Sequence, residues 1–294
     1  MLGSVITAMV TPFQADGSVD VDRFRELATF LVDNGSDGLV VCGTTGEAPT
    51  LTDEEKLELF QAAVETVGDR ATIVAGTGTY DTAHSVHLTR EATKLGVDAI
   101  LVVTPYYNKP PQRAIVRHFE EIAGATDLPV VVYNIPSRVV VNIESATIAR
   151  LAEIDNVVAV KQAHDDPDEA RFIAEETRLD LYSGDDPNTF AFLALGGVGV
   201  VSVTAHLWGP QIAEMIRRYH EGDVEGARAL HEEQQPSYDL LRIQTNPIPI
   251  KAALNLTGHA VGGHRLPMVE ADDDELPQIR TCLERSGLLA TASA

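Results

Sequence analysis

The chain has 294 residues, 44% of them hydrophobic, with 44 Asp plus Glu against 22 Lys plus Arg and a net charge of −22. Such a charge repels phosphate backbones and anionic lipid, which argues against a nucleic-acid or membrane-surface partner. No stretch approaches the roughly 18 to 20 apolar residues of a membrane span, and two cysteines, Cys42 and Cys282, are too few for a disulfide framework.

In chain order, short apolar runs rich in β-branched residues recur at 4–11, 37–44, 72–78, 99–104, 129–134, 157–163, 179–184 and 198–204. Most are continuously apolar rather than alternating, as expected of parallel strands covered on both faces. Between them lie segments of helical spacing. In 53–67, Leu57, Phe60, Val64 and Val67 mark one face, acidic residues load the first turn, and Thr52 with Glu55 forms a capping box. Repeated strand–helix alternation predicts an α/β fold, a (β/α)8 TIM barrel. The competing open doubly wound sheet lacks its dinucleotide fingerprint, because the first strand leads into TPFQADGS. After residue 224 the strands stop. Helices are predicted at 223–244, 248–257 and 272–286, so residues 1–224 read as a catalytic barrel and 225–294 as a small C-terminal helical appendix. The amino terminus has no basic residue before its apolar run and does not read as a signal peptide. A reducing cytoplasm is the expected compartment.

Barrel chemistry sits at the carboxyl ends of strands. Lys161 ends the sixth run; burial of an unpaired ammonium is costly, and a free amine is what imine formation needs. The bland alternative is a strand-end lysine reaching solvent. The second run ends in GTTGEAP, where Gly43 and Gly46 permit a tight turn and the amides of Thr44 and Thr45 can meet a small anion; a plain βα turn is the alternative. The fifth run ends in YNIPSR, offering the Tyr133 phenol for proton transfer and the Arg138 fork for a carboxylate. The fourth ends in TPYYNKP, with Tyr106 and Tyr107. SGDD closes the seventh and GVVSVTA the eighth. No cofactor motif is present. His84 and His87 are three apart on a helix, but no carboxylate or cysteine at a suitable spacing completes a metal site, and Ser202 lacks a nucleophile elbow. The acidic run 271–275 reads as a solvated helix start. Few lysines, five in all, on so acidic a chain suit exposure to molar salt.

GTTGE, TPYYNKP, YNIPSR, the Lys161 strand, SGDD and NPIPIKAAL, in this order and over essentially the whole chain, resemble the dihydrodipicolinate synthase family within the pyruvate aldolases. The resemblance implies condensation of pyruvate with aspartate semialdehyde to 4-hydroxy-tetrahydrodipicolinate. It implies Lys161 as the imine-forming amine, Thr45 and nearby amides under the pyruvate carboxylate, and Tyr133 relaying protons with Thr44 and with Tyr107 of a neighbouring subunit. Arg138 would hold the semialdehyde, with Gly184 and Val201 lining the site. It also implies a homotetramer, a dimer of dimers. Arg138 separates this reading from a sister aldolase acting on a sugar acid, and retention of the whole set speaks against an idle paralogue serving as a ligand sensor. Lysine-sensitive members resembling this chain carry Asn, Glu and His where Tyr80, His84 and Lys56 stand, so lysine inhibition is expected to be weak or absent.

Overall fold

The computed structural model describes residues 2–290. Its core is a closed barrel of parallel strands, β1 (Val5–Ala8), β2 (Gly38–Val41), β3 (Thr72–Gly76), β4 (Ala99–Val103), β5 (Val130–Asn134), β6 (Val157–Gln162), β7 (Asp180–Ser183) and β8 (Gly199–Ser202), with β8 pairing back onto β1. Each predicted run contains one strand. The strands are shorter than the runs, because residues such as Met9 and Val10 stay buried after the chain has turned off the strand.

Successive side chains along a strand point to opposite faces. One set, including Ile6, Val40, Val74, Leu101, Val131, Ala159, Tyr182 and Val201, packs within the barrel. The other, including Val5, Leu39, Ile73, Ile100, Val132 and Val160, packs under the helices. Burial on both faces explains the unbroken apolar runs. The Tyr182 hydroxyl donates to the Gly3 carbonyl at 2.9 Å and accepts from the Leu2 amide at 3.1 Å, tying the start of the chain to the barrel.

The helix Asp53–Val67 has the expected capping box and acidic first turn. Its buried face is broader than predicted and shifted: Lys56, Leu59, Phe60, Ala62, Ala63 and Val67 are buried, whereas Leu57 and Val64 are only half-buried. Packing on both the barrel and the neighbouring helix Val21–Asp33 widens that face. The segment 223–244 is two helices, Val224–Glu233 and Gln235–Ile243. Pro236 opens the second, since proline has no amide to continue a helix. Residues 248–257 form the helix Ile248–Leu256, and the last helix is Leu276–Arg285. The acidic run 271–275 therefore precedes that helix as a turn in which the Asp272 amide donates to Glu275 Oε2 at 2.9 Å. No helix among the described residues is long and apolar enough to cross a membrane.

Candidate active site

Lys161 and Tyr133 are register partners on β6 and β5. Alternation from Ala159 and Val131 aims both side chains into the barrel, where they are 5% and 4% exposed. The Lys161 Nζ lies 4.0 Å from the centre of the Tyr133 ring. The tyrosine forms part of the wall of a cavity of about 460 Å3, together with Thr44, Tyr106 and Arg138. Lys161 thus has protein rather than solvent around its stem, and the aromatic face is a favourable neighbour for an amine.

The turn after β2 brings Thr44 to the cavity wall and buries Thr45. Among the described residues no acceptor faces the Thr44 or Thr45 amide, while those of Gly46 and Glu47 turn back onto Gly43 and Thr44 carbonyls. The two glycines do not serve the turn in the way expected. The left-handed positions are Cys42 and Glu47, each at φ 55°, not Gly43 or Gly46. Gly46 is needed instead for close approach, since a Cβ there would lie 3.1 Å from the Met9 carbonyl oxygen.

Glu47 is held in that conformation by a partner that local sequence does not reveal. Lys251, fully buried, donates to Glu47 Oε1 at 2.9 Å, to the Thr11 carbonyl at 3.0 Å and to the Gly263 carbonyl. The Arg265 amide reaches Glu47 Oε2 at 3.2 Å. Burial depresses the Lys251 amine, and the Glu47 charge opposes that shift. The signal was in the sequence, a lysine flanked by apolar residues in IPIKAAL, but its partner lies 204 positions away. Asn246 is a second missed residue. Its Nδ2 donates to Thr45 Oγ1 at 2.9 Å, and its carbonyl accepts from Arg138 Nη2 at 3.1 Å. One residue of the C-terminal region therefore touches both the turn after β2 and the exposed guanidinium at the cavity rim.

The remaining predicted residues scatter. Val201 is buried inside the barrel, in the same apolar cluster as Tyr133. Gly184 allows β7 to close on β6: a Cβ there would sit 2.8 Å from that of Ala163. Neither, nor Lys161 or Thr45, is on the cavity wall itself. Tyr107 is 89% exposed, at φ 69°, and is not on the cavity wall; Tyr106 faces the cavity instead and packs edge-on to Tyr80. Asp185, the third residue of SGDD, is pushed up to about 6, first by desolvation and then by the charges of Asp186 and Asp165, with Lys161 opposing.

For His84 the structure supplies the carboxylate that local spacing did not. Its Nε2 is 2.9 Å from both oxygens of Asp53, which also lies 3.6 Å from the Lys56 Nζ. Among the described residues the group nearest to a metal-binding set is His164, Asp166 and Glu169. Its carboxylates are already engaged: both Glu169 oxygens face nitrogen donors, and Asp166 Oδ1 caps the helix Pro167–Glu176.

An amine over a phenol, a turn with two amides that have no acceptor among the described residues, and a guanidinium at the rim can form an imine and orient two anionic groups. Comparison with known proteins agrees. The model of the dihydrodipicolinate synthetase family matches residues 1–286. The chain is 51% identical over 289 residues to the 4-hydroxy-tetrahydrodipicolinate synthase of Moorella thermoacetica, covering 98% of this chain and 99% of the relative. A dihydrodipicolinate synthase of Cyanidioschyzon merolae, solved with lysine bound, superposes with a TM-score of 0.96 at 42% identity, over 98% of this chain and 99% of that one. A chloride-inhibited dihydrodipicolinate synthase of Acinetobacter baumannii in complex with pyruvate gives 0.95 at 35% identity, over 98% and 100%. With a family model spanning nearly its whole length and relatives at half identity end to end, the chain belongs to the dihydrodipicolinate synthetase family.

Proposed function

We propose that the protein condenses pyruvate with aspartate semialdehyde, giving 4-hydroxy-tetrahydrodipicolinate for lysine and diaminopimelate synthesis. The observation that carries this reading is the Lys161 amine 4.0 Å over the Tyr133 ring, beside a cavity rimmed by Arg138. The names of relatives at half identity support the same reaction.

Lys161 Nζ attacks the pyruvate ketone, and loss of water leaves a protonated imine. That cation is an electron sink, so the methyl carbon loses a proton to give an enamine. Tyr133 is placed to pass protons at these steps, with Thr44 at the cavity wall beside it. Thr45 and the open amides take the pyruvate carboxylate, and Arg138 takes that of the semialdehyde, setting its aldehyde against the enamine carbon. The new carbon–carbon bond regenerates the imine. Attack by the substrate amine on the imine carbon then closes the ring and frees Lys161. Val201 inside the barrel and Gly184 at the end of β7 stand off the cavity wall and complete the surroundings of this centre. The step needs no metal or cofactor.

Assembly and compartment belong to the same proposal. The exposed Tyr107, with Tyr80 also exposed, suits a second subunit that receives Tyr107 in its own site, within a homotetramer of paired dimers in the cytoplasm. The C-terminal region that begins at 225 acts, over its described residues to 290, as a helical brace on the barrel that ends at 224, through Asn246 and Lys251. The test is turnover of both substrates coupled to the following reductase. Lys161→Ala abolishes it, and Arg138→Ala lowers kcat/KM for the semialdehyde about a hundredfold, the worth of a charge-assisted pair. Wild-type activity in Lys161→Ala would overturn the assignment.

A further inference from the structure

Because Tyr133 and Lys161 point into the barrel, the next residues on the same strands, Asn134 and Gln162, point outward beneath the helices. Both are fully buried in a shell that is mostly apolar. Asn134 Nδ2 donates to Gln162 Oε1 at 3.1 Å and to Asn142 Oδ1 at 2.8 Å, and its Oδ1 accepts from the Ile143 amide at 3.1 Å. Gln162 Nε2 donates to Glu169 Oε2 at 3.0 Å, and Asn142 Nδ2 donates to Glu169 Oε1. His164 Nδ1 meets Glu169 Oε2 at 2.9 Å. A carboxylate accepts at up to four positions; Glu169, 12% exposed at its side chain, receives three side-chain contacts. A buried polar network is costly unless complete and specifies one geometry when it is.

The place of this network is informative. The β5–β6 ladder is irregular: Val130 pairs with Val157 but Val131 with Ala159, so Val158 is passed over. Such an irregularity leaves a residue unpaired and interrupts the ladder locally, so pairing beyond it is not simply carried over from the strand before it. The amide network lies beyond it, at the end where Tyr133 and Lys161 must meet. We propose that Glu169 is a positioning residue for the reaction: through Gln162, and through Asn142 and Asn134, it holds β5 and β6 in the register that seats Lys161 over Tyr133. This rests on the proposed function of that pair.

The test reverses one hydrogen bond. Glu169→Gln sets two amide nitrogens against each other or costs an acceptor for Gln162. Adding Asn142→Asp restores every bond. The introduced carboxylate can accept from both Asn134 and the new glutamine, whose oxygen still takes Gln162 and His164. Asn142→Asp alone sets two carboxylates face to face and is an independent perturbation should Glu169→Gln not fold. The readouts are kcat, KM for pyruvate, the rate at which cyanoborohydride traps pyruvate on the protein, and the melting temperature. Each single variant, assayed well below its melting temperature, is expected to slow trapping and kcat by about ten- to a hundredfold, with KM little changed. The double variant recovers most of both. A folded single variant that traps pyruvate at the wild-type rate overturns the proposal, as does a double variant that melts like the wild type but stays slow. Trapping by the wild type and its loss in Lys161→Ala, run alongside, tests the function reading separately.

Discussion

Lys251→Met isolates the contact that joins the C-terminal region to the turn after β2. The ammonium makes three hydrogen bonds, one to a Glu47 carboxylate 2.9 Å away, and the two side chains are 0% and 1% exposed. Methionine fills similar volume but leaves that carboxylate with one donor, the Arg265 amide at 3.2 Å. Removing one partner of a buried pair costs about 3–5 kcal/mol, because the survivor keeps its desolvation penalty. The expected loss is therefore about 4 kcal/mol, close to a thousandfold in the unfolding constant. The assay is urea unfolding at one fixed protein concentration, since an oligomer's stability depends on it. Lys251→Met/Glu47→Gln should return to within about 1–2 kcal/mol of wild type, because the stranded charge is gone. The KM for pyruvate should rise in the single variant as the turn relaxes. A single variant costing less than about 1 kcal/mol, or a double variant costing as much as the single, would refute the buried-charge argument.

Three further outcomes are expected. His206, fully buried between the Val10 amide and the Val203 carbonyl, is held down to about 4, chiefly by desolvation. The unfolded chain binds the proton first, so stability is complete above about pH 6.5 and falls by roughly 3 kcal/mol as pH drops toward 4; proton uptake on unfolding at pH 5 should be about one less in His206→Gln. The net charge of −22 predicts that thermal stability and kcat/KM for the anionic substrates both rise from low to molar salt as self-repulsion is screened, and a flat profile in kinetic assays and melting curves would count against it. Lysine should inhibit weakly or not at all, because His84 is engaged with Asp53 and Tyr80 stands exposed nearby; inhibition at submillimolar lysine would contradict this.

What the sequence by itself determined follows from local rules. Eight apolar runs located eight strands, and strict alternation from Val131 and Ala159 already turned Tyr133 and Lys161 to one face. The Thr52–Glu55 capping box is a four-residue signal, and it formed as read. The turn glycines misled, because a motif shows which residues are small without showing whether φ or close approach requires it; Cys42 and Glu47 took the left-handed positions. The rest was decided by contacts between distant parts of the chain. Lys251 with Glu47, Asn246 with Thr45 and Arg138, His84 with Asp53, and Glu169 under two strands depend on barrel closure and on the C-terminal helices folding back over it. No periodicity encodes such pairs, since each is fixed by where two segments meet rather than by the order of residues within either.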